Sequence, residues 1–170
     1  ASVRLLPRTT VNELKRFIDD EKFGSIYWDK WEKKLLETRR LISELINAHP
    51  KEIAITRGAG YGLNIISNGI KWGRGDNIVI NDLEFPANVF TWQLKAREYG
   101  LELRIARNIN GEIPLEVYDD LIDERTKIIA VSWVEFSNDF RHDLKALSEI
   151  SHKKGVYLVV DGIQGVGQTF

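Results

Sequence analysis

Four short stretches of the chain carry side chains able to do chemistry. "VYLVVDGIQ" (156–164) brings a carboxylate, Asp161, to the end of an apolar run, with Gln164 three residues on. Asp before Gly is ordinary turn chemistry, and a rigid strand is equally a mount for a ligand-binding carboxylate, so position alone leaves both readings open. "TRGAGYGLN" (56–64) passes through Gly58, Ala59 and Gly60 into an apolar-periodic run. Glycines let a backbone approach an anion, and a helix start offers N–H groups and the positive end of its dipole, so this turn can seat a phosphate or merely reverse the chain. It is not the dinucleotide fingerprint, whose third glycine would fall at Leu63, and no G-K-[ST] follows to make a P-loop.

"DLEFPANVFTW" (82–92) places Phe85 just before Pro86. Phe85 is either a core aromatic or a flat ring for stacking on a planar ligand. Asn88 is either a helix N-cap or a polar contact to that ligand. "SWVEFSNDFRHDL" (132–144) crowds Glu135, Ser137, Asn138, Asp139 and Arg141 into one turn. His49, His142 and His152 have no metal-ligand spacing and read as structural or surface residues. The absence of cysteine excludes thiolate metal sites, disulfides and a Cys nucleophile within these residues.

The elements that must position these groups follow from periodicity. Residues 1–50 read as a helical segment: in "WDKWEKKLLETRRLISELIN", Trp28, Trp31, Leu35, Ile42 and Leu45 or Ile46 recur at three-to-four spacing. From 51 to 170 the text alternates. Strands are expected at 52–56, 77–81, 101–106, 127–133 and 156–161, and helices at 60–70, 88–100, 114–123 and 143–155. Strands apolar throughout and separated by helices imply an α/β fold, a mainly parallel sheet with helices on both faces. In such sheets ligands bind beyond the carboxyl ends of the strands, which is where all four stretches fall.

Composition narrows the function. Lys plus Arg number 24 against 25 acidic residues, a net charge of −1, so there is no basic field to attract nucleic acid or an anionic membrane. No apolar run approaches a membrane-spanning length, and no signal segment opens the chain. The lack of any methionine and the ending "VGQTF" suggest a partial polypeptide.

Taken in order, "ITRGAGYGLNII", "GDNIVINDLEFPANVFTW", "VSWVEFSNDFRHDLKALSEISHKKG" and "VYLVVDGIQGVG" resemble the class V aminotransferase superfamily of fold-type I pyridoxal 5′-phosphate (PLP) enzymes, N-terminal part only. The D-x-x-Q of the last stretch is the most specific piece. The resemblance implies a partial large domain of the PLP-dependent transferase fold, preceded by the N-terminal helical segment. By it, Asp161 partners the pyridine nitrogen, Gln164 the phenolic oxygen, and Gly58, Ala59 and Gly60 the phosphate. The family usually has Thr at position 60, so Gly60 offers only its N–H. Phe85 falls where the family stacks an aromatic ring, Asn88 lies on the same cofactor edge, and Glu135 sits near a contact to the phenolic oxygen. The Schiff-base lysine is expected past Phe170, which would leave this stretch inactive alone.

The implied activity is chemistry at the Cα of an amino acid, most aminotransferase-like. A cysteine desulfurase typically has His at position 85; kynureninase-like and epimerase-like members are the other branches. A non-catalytic fragment or regulatory module is the alternative from a different class, favoured by Gly60, Glu135 and Asp139. A cytoplasmic homodimer is the expected setting.

Overall fold

The structure, a computed structural model, describes residues 5–168. The first four residues of the expected helical segment and the closing Thr169 and Phe170 lie outside them. The chain divides into two compact units, one through Thr56 and one from Arg57.

The first unit holds α1 (Arg8–Glu21), a 3₁₀ turn (Gly24–Tyr27) and α2 (Trp28–Leu45). Phe17 on α1 and Trp31 on α2 bring their rings to 5.3 Å. The apolar stripe of α2 forms as its spacing predicts, yet Trp28, Leu35 and Leu45 stay exposed and Ser43 is the buried residue of that helix.

The strand expected at 52–56 does not form among the described residues. Its first residue is taken by a second 3₁₀ turn, Pro50–Glu52: Glu52 accepts from the His49 amide at 2.7 Å while His49 Nδ1 accepts from the Lys51 amide at 3.1 Å. This reciprocal cap satisfies the turn locally. Ile53 is extended and buried, with its carbonyl accepting from Arg39 Nε at 2.8 Å, so a side chain stands where a neighbouring strand would donate.

The second unit runs α3 (Ala59–Gly69), β1 (Asn77–Asn81), α4 (Pro86–Tyr99), β2 (Glu102–Ala106), α5 (Leu115–Leu121), β3 (Thr126–Ser132), α6 (Leu144–Lys154) and β4 (Tyr157–Asp161). All strand pairs are parallel, in the order β2-β1-β3-β4. The period-two alternation of the strands sorts their side chains into two cores. Ile78, Ile80, Ile128 and Ala130 meet Leu63 of α3 and Trp92 of α4 on one face. Val79, Ile129 and Val131 meet Tyr118 of α5 and Leu147 of α6 on the other. Each fully buried Val or Ile stabilises the fold by about 1.5–3 kcal/mol, which anchors β1 and β3 as the rigid centre.

Helices α4 and α6 both close on a glycine in the left-handed conformation, Gly100 (φ 66°) and Gly155 (φ 68°). The chain steps from β1 outward to β2, then crosses back to β3. That reversal places a crevice at the carboxyl ends of β1 and β3, the position where doubly wound sheets hold ligands.

Candidate functional site

At the tip of β4, Asp161 is only 7% exposed. Its Oδ1 accepts from the Ile163 amide at 3.0 Å, and its carbonyl accepts from the Trp133 amide at 2.8 Å, tying β4 to the end of β3. The carboxylate therefore caps its own turn. It also has capacity left over: among the described residues no cationic side chain forms an ion pair with it. A buried carboxylate without a positive partner is costly unless something else supplies the charge. A bound N–H⁺ would do so.

The turn carrying Asp161 is held tightly. A Cβ at Gly165 would come within 2.4 Å of the Trp133 ring, so the indole lies directly on that backbone. Gln164, half-buried, sits between Asp161 and this contact.

The start of α3 faces the same space. Tyr61 and Gly62 donate back to the Gly58 carbonyl at 3.1 Å each. The amides of Ala59 and Gly60, in the first turn, have no intrahelical acceptor to reach. A Cβ at Gly58 would meet nothing within 4 Å, and one at Gly60 only Ala87 Cβ at 3.9 Å. The helix start thus opens onto room for an anion, and it adjoins α4 at Ala87, two residues beyond Phe85. Ala59 and Asp161 line one groove of about 1190 Å³ between α3 and β4. The residues present therefore fit a molecule that carries a phosphate at one end and a protonated ring nitrogen at the other.

Phe85 is 46% exposed and meets Phe136, 48% exposed, edge to face at 5.2 Å and 86°. It stands outside both cores, which removes the core-aromatic reading. Phe136 was not legible as a site residue, because an exposed aromatic in a turn gives no signal until its neighbour across the sheet is known.

Two expected cofactor contacts are placed elsewhere. Asn88 is fully buried within the first turn of α4, whose cap position is Phe85. Its Nδ2 donates to Glu84 Oε2 at 2.9 Å and its Oδ1 accepts from Trp92 Nε1 at 2.9 Å, so it is neither a cap nor a surface contact. Glu135 is likewise fully buried, its Oε1 accepting from Asn81 Nδ2 at 2.9 Å and lying 3.0 Å from His142 Nε2. Both belong to an internal polar network rather than to the exposed edge.

Glu84 is the centre of that network. Its Oε1 accepts from Asn81 Nδ2 at 2.8 Å and the Ser132 amide at 2.6 Å, and its Oε2 from Asn88 Nδ2 and from Ser132 Oγ at 2.7 Å. Burial, then the neighbouring Glu135 carboxylate, push its pKa up from 4.5 to about 7 against these hydrogen bonds. Sequence reading passed over Glu84, since its partners lie as far as 48 residues away.

The fold is a doubly wound α/β domain, and the groups at its strand tips fit an anionic ligand with a cationic ring. The class-V aminotransferase family model matches residues 27–169, and the chain belongs to that family, whose cofactor is PLP. An uncharacterized protein of Schizosaccharomyces pombe is 35% identical over 157 residues, covering 91% of this chain and 36% of that one. A cysteine desulfurase of Escherichia coli is 34% identical over 140 residues, covering 78% of this chain and 34% of its own. The chain thus spans about a third of the length of these curated relatives.

Among solved structures, the cystine C–S lyase C-DES in complex with cysteine persulfide superposes with a TM-score of 0.87 at 21% identity, over 95% of this chain and 45% of that one. A C-DES mutant has been solved with glycine covalently linked to its PLP cofactor. The apo cysteine desulfurase of Thermococcus onnurineus gives 0.76 at 28% identity, over 81% of this chain and 35% of that one.

Proposed function

We propose that this chain forms the cofactor-binding part of a PLP-dependent enzyme that acts at the Cα of an amino acid, with aminotransferase-like chemistry. The observation that carries it is Asp161, a buried carboxylate with no cationic partner among the described residues, sharing one groove with the open start of α3.

Bound PLP supplies an electron sink for a carbanion at the substrate Cα. The chain's own residues set the terms for it. Asp161 would hold a proton on the ring nitrogen, because its buried carboxylate, bonded to the Ile163 amide, has no cationic partner among the described residues. The amides of Ala59 and Gly60 hold the phosphate in the field of the helix start. The side-chain amide of Gln164 would donate to the phenolic oxygen, and Phe85 would stack on the ring and keep water from it.

The lysine that carries the cofactor in this reading lies outside these residues. Lys153 and Lys154 end α6, at the opposite end of the strands from Asp161, and Lys154 is engaged with Asp119 at 2.6 Å. Lys127 lines the groove but sits five residues before Ser132, the partner of Asp161, which is about 16 Å at strand rise.

Phe85 supports the aminotransferase-like branch, since a phenyl ring stacks but cannot relay a proton. The Escherichia coli relative supports a second reading, a cysteine desulfurase. The homodimer belongs to the proposal and is read by light scattering of the full-length protein.

Borohydride reduction of the full-length protein with PLP, followed by peptide mapping, tests the reading. One phosphopyridoxyl-lysine outside residues 1–170 is expected, and no adduct would refute it. Sulfide release from cysteine against amino-group transfer to a keto acid separates the branches. A protein that binds PLP and does neither would leave the kynureninase-like and epimerase-like branches, and one that also fails to exchange the Cα proton of amino acids would be the non-catalytic module.

A further inference from the structure

The loops after β1 and β3 each carry the dipeptide Glu-Phe, Glu84-Phe85 and Glu135-Phe136. In both, the glutamate is buried and the phenylalanine is half out in solvent. Below the surface the two carboxylates are bridged by one amide, Asn81 Nδ2, which donates to Glu84 at 2.8 Å and to Glu135 at 2.9 Å. At the surface the two rings meet edge to face at 5.2 Å. The loops after β1 and β3 are therefore joined by a clasp of two layers, one polar and one aromatic.

With Glu84 ionised, the amides of the polar layer have a single consistent arrangement. Asn81 Oδ1 accepts from the Leu83 amide at 2.8 Å, which leaves both hydrogens of Nδ2 for the two carboxylates. Trp92 Nε1 can only donate, so Asn88 must accept there with Oδ1 and offer Nδ2 to Glu84. Glu84 then receives four donors, two of them from Ser132 at the end of β3. Glutamine in its place would turn an N–H group toward the Ser132 amide or toward Asn88 Nδ2, both donors.

We propose that Glu84 is a positioning residue whose bonds to Asn81 and Ser132 lock the loops after β1 and β3 together and so fix the Phe85–Phe136 pair in one orientation. Its consequence for the cofactor rests on the proposed function: the clasp presents Phe85 already set for stacking, so less ordering is left to be done on binding.

The experiment is ¹⁹F NMR of the full-length protein containing fluorophenylalanine, without cofactor, with Phe85 and Phe136 assigned from Phe85→Leu and Phe136→Leu. In the parent, each ring's resonance should move when the other ring is replaced. In Glu84→Gln that mutual shift should vanish, and PLP should bind more weakly. Ile128→Val, a core change that lowers stability without touching the clasp, should leave the mutual shift intact. A mutual shift that survives in Glu84→Gln, or one lost equally in Ile128→Val, would overturn the proposal. If Glu84→Gln does not fold, Ser132→Ala removes one bond to Glu84 and should reduce the mutual shift; an unchanged shift there overturns it too. The ring readout needs no cofactor, so a parent protein that fails to bind PLP would refute the proposed function and leave the clasp standing.

Discussion

The tips of β1 and β3 and the tip of β4 are neighbours on one sheet edge, and they treat polar groups in opposite ways. At β1 and β3, Asn81, Glu84, Asn88, Ser132, Glu135 and His142 are all buried and spend their hydrogen bonds largely on one another. At β4, Asp161 is nearly as buried but, among the described residues, makes one side-chain bond, to the turn that follows it. A network of many mutual bonds rigidifies a fold, although Glu135 Oε2 within it has no partner among the described residues, whereas a carboxylate held by one amide on a groove wall leaves room for a ligand. The two regions should therefore respond differently to mutation, one in stability and the other in binding and rate.

The largest expected effect is on stability, at Glu84. Glu84→Ala strands four donors in the interior, and the loss should be about 3 kcal/mol or more by chemical denaturation. Asp161→Asn should keep the bond from the Ile163 amide and change stability by less than about 1 kcal/mol. If both variants lost stability equally, the contrast between the two tips would fail.

The next effect falls on chemistry. In the full-length enzyme, Asp161→Asn should lower turnover by roughly 100-fold or more, since an amide cannot hold the ring nitrogen protonated. The accompanying sign is a weaker response of the PLP absorption to amino-acid substrate. Retention of full turnover would show that the missing partner of Asp161 is not the cofactor.

A third test uses pH. Burial raises Glu84 from 4.5 to about 7, so between those values the folded state binds more protons than the unfolded one. Its stabilising contribution is complete below pH 4.5 and is lost as pH rises toward 7, at most about 3 kcal/mol over the window. Denaturation of the parent against Glu84→Gln should show this slope in the parent and a flatter curve in the variant. A parent curve that rises through the same window would place the proton elsewhere in the network.

What could be read beforehand follows the same division. The four strands of the sheet and their helices were legible to within two or three residues at each end, because apolar runs and closing glycines are local signals. Asp161, Gly58 and Phe85 stood out because strand ends and glycine turns are local too. The internal bonding of these side chains was not legible: Glu84 and Glu135 are held by Ser132 and Asn81 across the sheet, and Asn88 bonds Glu84 and Trp92 one helical turn away on either side. The strand expected at 52–56 failed similarly, since alternation predicts a strand's faces but not whether a neighbour is there to pair with it.

The smallest expected effect sharpens the contrast from the loop after β3. Asp139 sits at φ 60°, a left-handed conformation that costs most residues 1–2 kcal/mol and aspartate less. Its amide donates to the Glu135 carbonyl at 3.0 Å, so the strained turn is part of what keeps Glu135 facing inward. Glycine would relieve the strain but free the unfolded chain, and the two terms nearly offset. Asp139→Gly should therefore raise stability by only about 0.5 kcal/mol, measured by denaturation, with the Phe85–Phe136 mutual shift unchanged. A loss of stability instead would mean that the freedom glycine gives the unfolded chain outweighs the strain it relieves at this turn.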